Sequence, residues 1–332
     1  MREPSFWWRS AGTEARALAP VAAAYGAVAA LRMARRGRPA GVPVICVGNF
    51  TVGGAGKTPT VLAVGRILMN AGKRVVFLSR GYGGGLTGPA RVDAVRHTAA
   101  EVGDEPLLLA RAAPTIIAAD RIAGADMARG LGASIIVMDD GFQNPSLAKD
   151  LSIVVVDGGR GIGNGRVIPA GPMRAPLRRQ IQHAQALIVL GKPSEYCAPA
   201  VAAAQERGIP VLQGGLEAEA DAVSALAGQR VLAFAGIGNP AKFFATLAEA
   251  GISTPVKQSF PDHHRYTPAE AEALVARAAR ENLLLVTTEK DLIRIARDPD
   301  LTALANVTRA LPVTVELEDE NALRELLLAK AR

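Results

Sequence analysis

FTVGGAGKTPT, Phe50 to Thr60, decides the fold. Its end reads as a phosphate-binding loop, but counting back from Gly56-Lys57-Thr58 in the pattern G-x-x-x-x-G-K-[ST] puts Thr51 where the first glycine belongs. The apolar VICVGNF before it reads as a strand, and VLAVGRILMNAG after it has helical spacing. Strand, glycine loop and helix together make a nucleotide site, because backbone N–H groups and the helix N-terminus converge on phosphate. Gly53, Gly54 and Gly56 permit the tight path, with Thr51 and Ala55 completing the loop. Lys57 is expected at the β- and γ-phosphates of ATP and the Thr58 hydroxyl on Mg²⁺. Pro59 is tolerable because a first-turn residue has no intrahelical N–H partner to lose.

A second segment, SIIVMDDGFQ at Ser134 to Gln143, matches the loop. An apolar strand delivers Asp139 and Asp140 at its C-terminal end, where a carboxylate holds the metal shell beside the phosphates. Adjacent side chains on a strand point to opposite faces, so one aspartate is expected to serve the metal while the other organises the loop. Gln143 is counted with them as a polar contact.

Working outward, VICVG, RVVFLS, TIIAA, SIIVMDD, LSIVVVD and ALIVLG alternate with helical segments. Their nearly continuous apolar character predicts strands buried on both faces, hence an α/β fold: a P-loop NTPase-like parallel sheet flanked by helices. After Gly228 a second series begins with VLAFAGIG and continues through LLLVTTEKD and PVTVELED. The expected division is an N-terminal region over 1–40, a core domain over 41–226 and a smaller α/β domain over 227–332. Between the two series lies Gly158 to Arg179, too rich in Gly, Pro and Arg for regular structure and suited to an anionic group.

The 332 residues carry a formal charge of +7 with 4% aromatics. A positive field attracts nucleic acid, anionic membrane or phosphorylated substrate alike. The arginines cluster at Arg32, Arg35, Arg36 and Arg38 and at Arg174, Arg178 and Arg179 with few aromatics to stack on bases, so nucleic acid is not expected. The two cysteines, Cys46 and Cys197, have no metal-ligand spacing, and a reducing cytosolic setting is the simplest reading.

The N-terminus differs from the rest: SFWWR, then an uncharged Ala-rich run from Ala17 to Leu31, then the basic cluster. That run is shorter than the roughly 20 apolar residues a bilayer span needs. Two readings stand: a helix on a membrane surface, with Trp7 and Trp8 at headgroup level, or an ordinary packed helix with a solvated basic end.

Asp104 in VGDEP reads alone as a helix N-cap, and His263 in FPDHH as a polar turn, with Asp262 a third candidate beside it. Arg80 follows the strand RVVFLS at the sheet edge that carries the phosphate loop. Glu289, Lys290 and Asp291 end another strand without a decided role.

With VGNFTVGGAGKTP, SRGYGG, VGDEP, DDGFQ, MRAPLRR, FAGIGNP, FPDHH and TTEKD in this order, the chain resembles the tetraacyldisaccharide 4'-kinase family over nearly its whole length. The resemblance implies transfer of the ATP γ-phosphate, with Mg²⁺, to the 4'-hydroxyl of a lipid A disaccharide 1-phosphate precursor. It further implies a peripheral or monotopic location at the cytoplasmic face of a Gram-negative inner membrane, and favours the membrane-surface reading of the N-terminal helix. Asp104 and His263 become the catalytic dyad, His263 arriving from the second domain, while Arg80, Arg174 and Arg178 are substrate candidates. No obligate protein partner is expected. The alternative is a switch ATPase, whose GGxGKT loop is similar; its signature lysine near the Gly-Gly pair is replaced here by Val52. A kinase of water-soluble sugars or nucleosides is a further rival.

Overall fold

The computed structural model describes residues 3–331. Among these residues thirteen strands, most of them followed by a helix, run in the order β1 Val44–Asn49, β2 Val75–Ser79, β3 Ala90–Arg91, β4 Thr115–Ile117, β5 Ile135–Asp139, β6 Leu151–Asp157, β7 Ala186–Leu190, β8 Val211–Ala218, β9 Arg230–Ala235, β10 Ser253–Ser259, β11 Leu284–Thr288, β12 Thr308–Leu311 and β13 Val313–Leu317. Nine of them form one sheet in the order β13-β8-β7-β6-β1-β5-β2-β4-β3. All its pairings are parallel except the two at its edges, β13 with β8 and β3 with β4. The six apolar runs read from the sequence are β1, β2, β4, β5, β6 and β7, and every residue in them is buried, as helices on both faces require.

The strand order reverses about β1, whose neighbours are β5 on one side and β6 on the other. Ligand crevices open at such a switch point, beyond the strand C-termini. The loop after β1 leads into a helix over Lys57–Asn70, whose Val61, Val64 and Leu68 are fully buried against the sheet. Each contributes about 1.5–3 kcal/mol, enough to outweigh the ~1 kcal/mol helix penalty of Gly65. That glycine has a packing reason: a Cβ there would stand 2.5 Å from Cζ of Phe77.

The second sheet is parallel, in the order β10-β9-β11-β12, around a core of Leu232, Phe234, Tyr266 and Leu274. In place of a second unit running to the C-terminus, this sheet ends at Leu311, and the chain returns to the first. β13 pairs antiparallel with β8, and the helix Glu320–Lys330 sets Leu323 and Leu327 into the cluster that holds Val61 and Val64. Covering the β8 edge and burying these leucines is the physical reason for the return.

The Ala-rich run forms a helix over Ala19–Met33, with Pro20 harmless in its first turn. Ala22 and Gly26 face the protein, and a Cβ on Gly26 would lie 3.3 Å from the Pro176 ring. Val21, Tyr25, Val28 and Leu31 are exposed, a large apolar stripe at helical spacing. No helix among the described residues is long and apolar enough to cross a membrane. The tryptophans do not extend this stripe: the Trp7 indole donates to the Pro169 carbonyl at 3.0 Å, and Trp8 donates to Glu3 while Arg160 stacks over its ring. Their N–H groups find acceptors within the protein, which turns the rings inward.

Candidate active site

The phosphate loop and the aspartate pair meet through sheet register, since Val47 of β1 pairs with Asp139 of β5. Gly53 and Gly56 take φ values of 90° and 88°, which side chains resist. Lys57 and Thr58 begin the helix and are buried.

The two aspartates lie in different surroundings. Asp140, at φ 50°, receives the Arg174 guanidinium through two bonds of 2.9 and 3.0 Å and lies 3.8 Å from Lys57 Nζ. Asp139 is 1% exposed, and neither of its carboxylate oxygens has a hydrogen-bond partner. Burial pushes the Asp139 carboxyl up to about 8, reinforced by Glu105 and Asp140 and opposed by Lys57. Burial acts on Asp140 in the same direction, but Lys57 and Arg174 outweigh it and bring it to about 2. Asp139, a buried carboxyl without a partner, stays protonated below about 8, and a bound cation would let it ionise.

Glu105 and Thr58 stand with it: the Thr58 hydroxyl donates to Glu105 Oε1 at 3.3 Å. These are hard oxygen donors and fit Mg²⁺. Among the described residues no three His, Cys, Asp or Glu side chains converge on one point. The protein therefore offers a partial shell, which suits an ion that keeps waters and phosphate oxygens.

Gln143, expected near the metal, instead braces the loop: its amide donates to the Asn49 carbonyl at 2.7 Å and to Gln180 at 2.8 Å. Arg174, expected to meet a substrate phosphate, is committed to Asp140 and to the Thr51 carbonyl at 2.9 Å. Both satisfy buried polar groups that the Gly/Pro-rich loop cannot satisfy by regular structure.

The other wall comes from the second sheet. The loop after β9 brings Gly238 against the phosphate loop, where a Cβ would lie 2.9 Å from the Gly54 nitrogen. His263, at φ 54°, sets Nδ1 3.5 Å from Asp104 Oδ1. Asp104 opens the helix Asp104–Ala112 without capping it and is 3% exposed. Its second oxygen is gripped by Arg294, which also donates to Asp291 and to the Gly236 carbonyl, both at 2.7 Å. Burial would raise Asp104, but the His263 hydrogen bond and the Arg294 charge hold it well below the usual carboxylate range. The same hydrogen bond raises His263 against the opposing effect of burial. Lys290, of the undecided EKD segment, reaches Glu105 at 2.5 Å, and Asp291 accepts from Tyr266 and Thr288 inside the second body.

Arg80 is exposed at the end of β2. Arg178 lines a groove of about 810 Å³ between the helix Ala19–Met33 and the segment from Gly165 to Arg179. Asp262 lies 3.8 Å from Nε2 of His263. Sequence reasoning missed Glu105 and Arg294: the first sits in the quoted VGDEP but was overshadowed by its neighbour, and the second belongs to no quoted motif.

The sequence profile of the family described as Tetraacyldisaccharide-1-P 4'-kinase matches residues 14–332. Similar proteins carry the name tetraacyldisaccharide 4'-kinase. One from Rhodopseudomonas palustris (strain BisA53) is 53% identical over 330 residues, covering 99% of this chain and 96% of its own. Another, from Methylobacterium sp. (strain 4-46), is 54% identical over 335 residues, covering 100% and 98%. A crystal structure described as an "apo" form of LpxK from Aquifex aeolicus in complex with ATP superposes with a TM-score of 0.73 at 28% identity, covering 96% of this chain and 99% of that one. Phosphate loop, aspartate pair and facing second body are thus spanned from end to end by one set of relatives, and the chain belongs to the tetraacyldisaccharide-1-P 4'-kinase family.

Proposed function

We propose that this chain transfers the γ-phosphoryl group of ATP to the 4'-hydroxyl of a tetraacyldisaccharide 1-phosphate, a lipid A precursor, at a membrane surface. The observation that carries the reading is the short chain Thr58–Glu105, with Asp104 and His263 next to it: a carboxylate–histidine pair stands one residue from the group that touches the phosphate loop. A switch ATPase working through a protein partner has no use for a base facing an acceptor.

Lys57 and the loop amides hold the ATP phosphates, and Asp139, Glu105 and Thr58 would hold Mg²⁺. When bound, the ion neutralises charge on the β- and γ-phosphate oxygens. Asp104 is too acidic, and too firmly held by Arg294, to take a proton itself. Its oxygen faces Nδ1 of His263, so that nitrogen carries the hydrogen and Nε2 is left to accept the 4'-hydroxyl proton. Asp104 orients the ring and stabilises the imidazolium, as a triad carboxylate does. The glutamate–lysine contact Glu105–Lys290 and the guanidinium of Arg294 join the bodies around this pair. We take the working units to be a body on the nine-stranded sheet, including residues 313–331, and a body on the four-stranded sheet.

The acyl chains belong with the exposed stripe Val21, Tyr25, Val28 and Leu31 and with the apolar groove beside it, where Arg178 and Arg179 stand at an anionic headgroup. Arg80, at the C-terminal edge of the sheet, is the further substrate candidate. Phosphorylation of the detergent-dispersed acylated disaccharide is expected from the native protein, with Asp139→Asn and His263→Ala each nearly inactive. Equal turnover of deacylated, water-soluble disaccharide would overturn the lipid part of the reading.

A further inference from the structure

A second cavity, of about 200 Å³, lies behind the aspartate loop. It is too small for a nucleotide or disaccharide, whose sites run to roughly 300–1,000 Å³, and large enough for a phosphate group with a few waters of about 30 Å³ each. Arg35, Lys149 and His183 line it together with the amides of Gln182 and Gln185, and no carboxylate lines it among the described residues. We infer that this cavity is a second anion site, outside the phosphoryl-transfer centre, that receives the phosphate group of an anionic phospholipid headgroup.

Lys149 is the central observation. Its ammonium donates to the Asn144 carbonyl at 2.5 Å and pairs with no carboxylate among the described residues, which leaves donors directed at no protein partner. The neighbouring Asp150 is occupied, accepting from the Val44 nitrogen at 2.8 Å. Burial lowers Lys149, and burial with the nearby Lys149 charge lowers His183, so the histidine stands as a neutral ring beside the Lys149 ammonium, whose charge an anion would compensate.

Position selects the lipid as the source. Met33, the last residue of the helix with the exposed apolar stripe, and Gly37 just beyond it both line the cavity. A helix lying in the interface holds its end at headgroup depth, and Arg32, Arg36 and Arg38 surround this one. The opposite wall is Phe142 and Gln143 of the DDGFQ segment, so an occupant bears on the loop that carries Asp139 and Asp140.

The full chain is to be tested by co-sedimentation with mixed phosphatidylcholine–phosphatidylglycerol vesicles, against pure phosphatidylcholine, and by ³¹P line broadening of inorganic phosphate. Lys149→Met is compared with Arg36→Met, in the basic run that follows the N-terminal helix, a residue that does not line the cavity. General surface attraction costs about fivefold per lost cation, whereas a built site predicts about twentyfold or more for Lys149→Met, restored by Lys149→Arg. A Lys149-dependent effect with mixed vesicles assigns the headgroup, and one seen only with inorganic phosphate assigns the site to free phosphate. Equal losses for Lys149→Met and Arg36→Met, with no Lys149-dependent broadening, overturn the site, provided thermal melts show both variants folded.

Discussion

At His263 the backbone, the charge and the chemistry agree. A non-glycine residue at φ 54° is strained, and the strain is tolerated because it aims the ring at Asp104. Asp104 raises His263 above its ordinary value of about 6.5, so the proton-accepting neutral form appears only as pH rises through that higher value. The pH–rate profile should therefore show an acidic limb above 6.5, and Asp104→Asn should move the limb down while lowering kcat by about 10²–10⁴. The same raised value makes the His263–Asp104 contact stabilising below the unfolded histidine pKa, with the stabilisation lost as pH rises through the folded one. Arg294 spans two buried carboxylates, Asp104 at 3% and Asp291 at 0% exposure. Arg294→Met removes the cation that both face and should cost about 3–5 kcal/mol in urea unfolding.

Among the elements, the phosphate loop and the Asp139 strand were readable because their chemistry is local in sequence. Gly56 is fixed locally by a φ of 88°, and the fold adds a second constraint, since a Cβ there would stand 2.6 Å from Cδ1 of Leu190. Gly56→Ala should abolish ATP binding in an isothermal titration while leaving the helical circular dichroism intact. Asp139 predicts a pH effect of definite sign. Its folded pKa, about 8, lies above its unfolded one, so its contribution is full below about 4 and is lost as pH rises through 8. Asp139→Asn should stabilise the metal-free protein at pH 8 by on the order of 2 kcal/mol and not at pH 4, and should cancel Mg²⁺-dependent protection against melting. The N-terminal run was legible as a helix, membrane-surface or packed, but the destination of Trp7 and Trp8 was not. Their hydrogen bonds to Pro169 and Glu3 are decided by groups that the primary pattern does not place nearby. The partners of Arg174 and Gln143 were illegible for the same reason: Asp140, Asn49 and Gln180 come within reach only as the Gly/Pro-rich loop folds back.

Over the whole molecule, the return of β13 and the final helix to the first sheet clamps the second body at both ends of its chain. No period or motif announces that return, since PVTVELED reads equally well as a strand of either sheet. Between the bodies run the ion pairs Lys290–Glu105, Arg294–Asp104 and Lys242–Asp157, so nucleotide affinity and the seating of His263 are expected to be coupled. Lys290→Met frees Glu105 and should lower kcat more than it raises KM for ATP, because it disturbs the meeting of the bodies rather than the loop itself. The most direct measurement is a single turnover of γ-labelled ATP with Mg²⁺ and the tetraacyldisaccharide 1-phosphate, following label in lipid and in free phosphate for the native chain and His263→Ala. Label on the 4'-oxygen from the native chain, with neither lipid nor phosphate labelled by a variant that still binds ATP, is the predicted result. Release of labelled phosphate at the same rate by both proteins, with none on lipid, would contradict it.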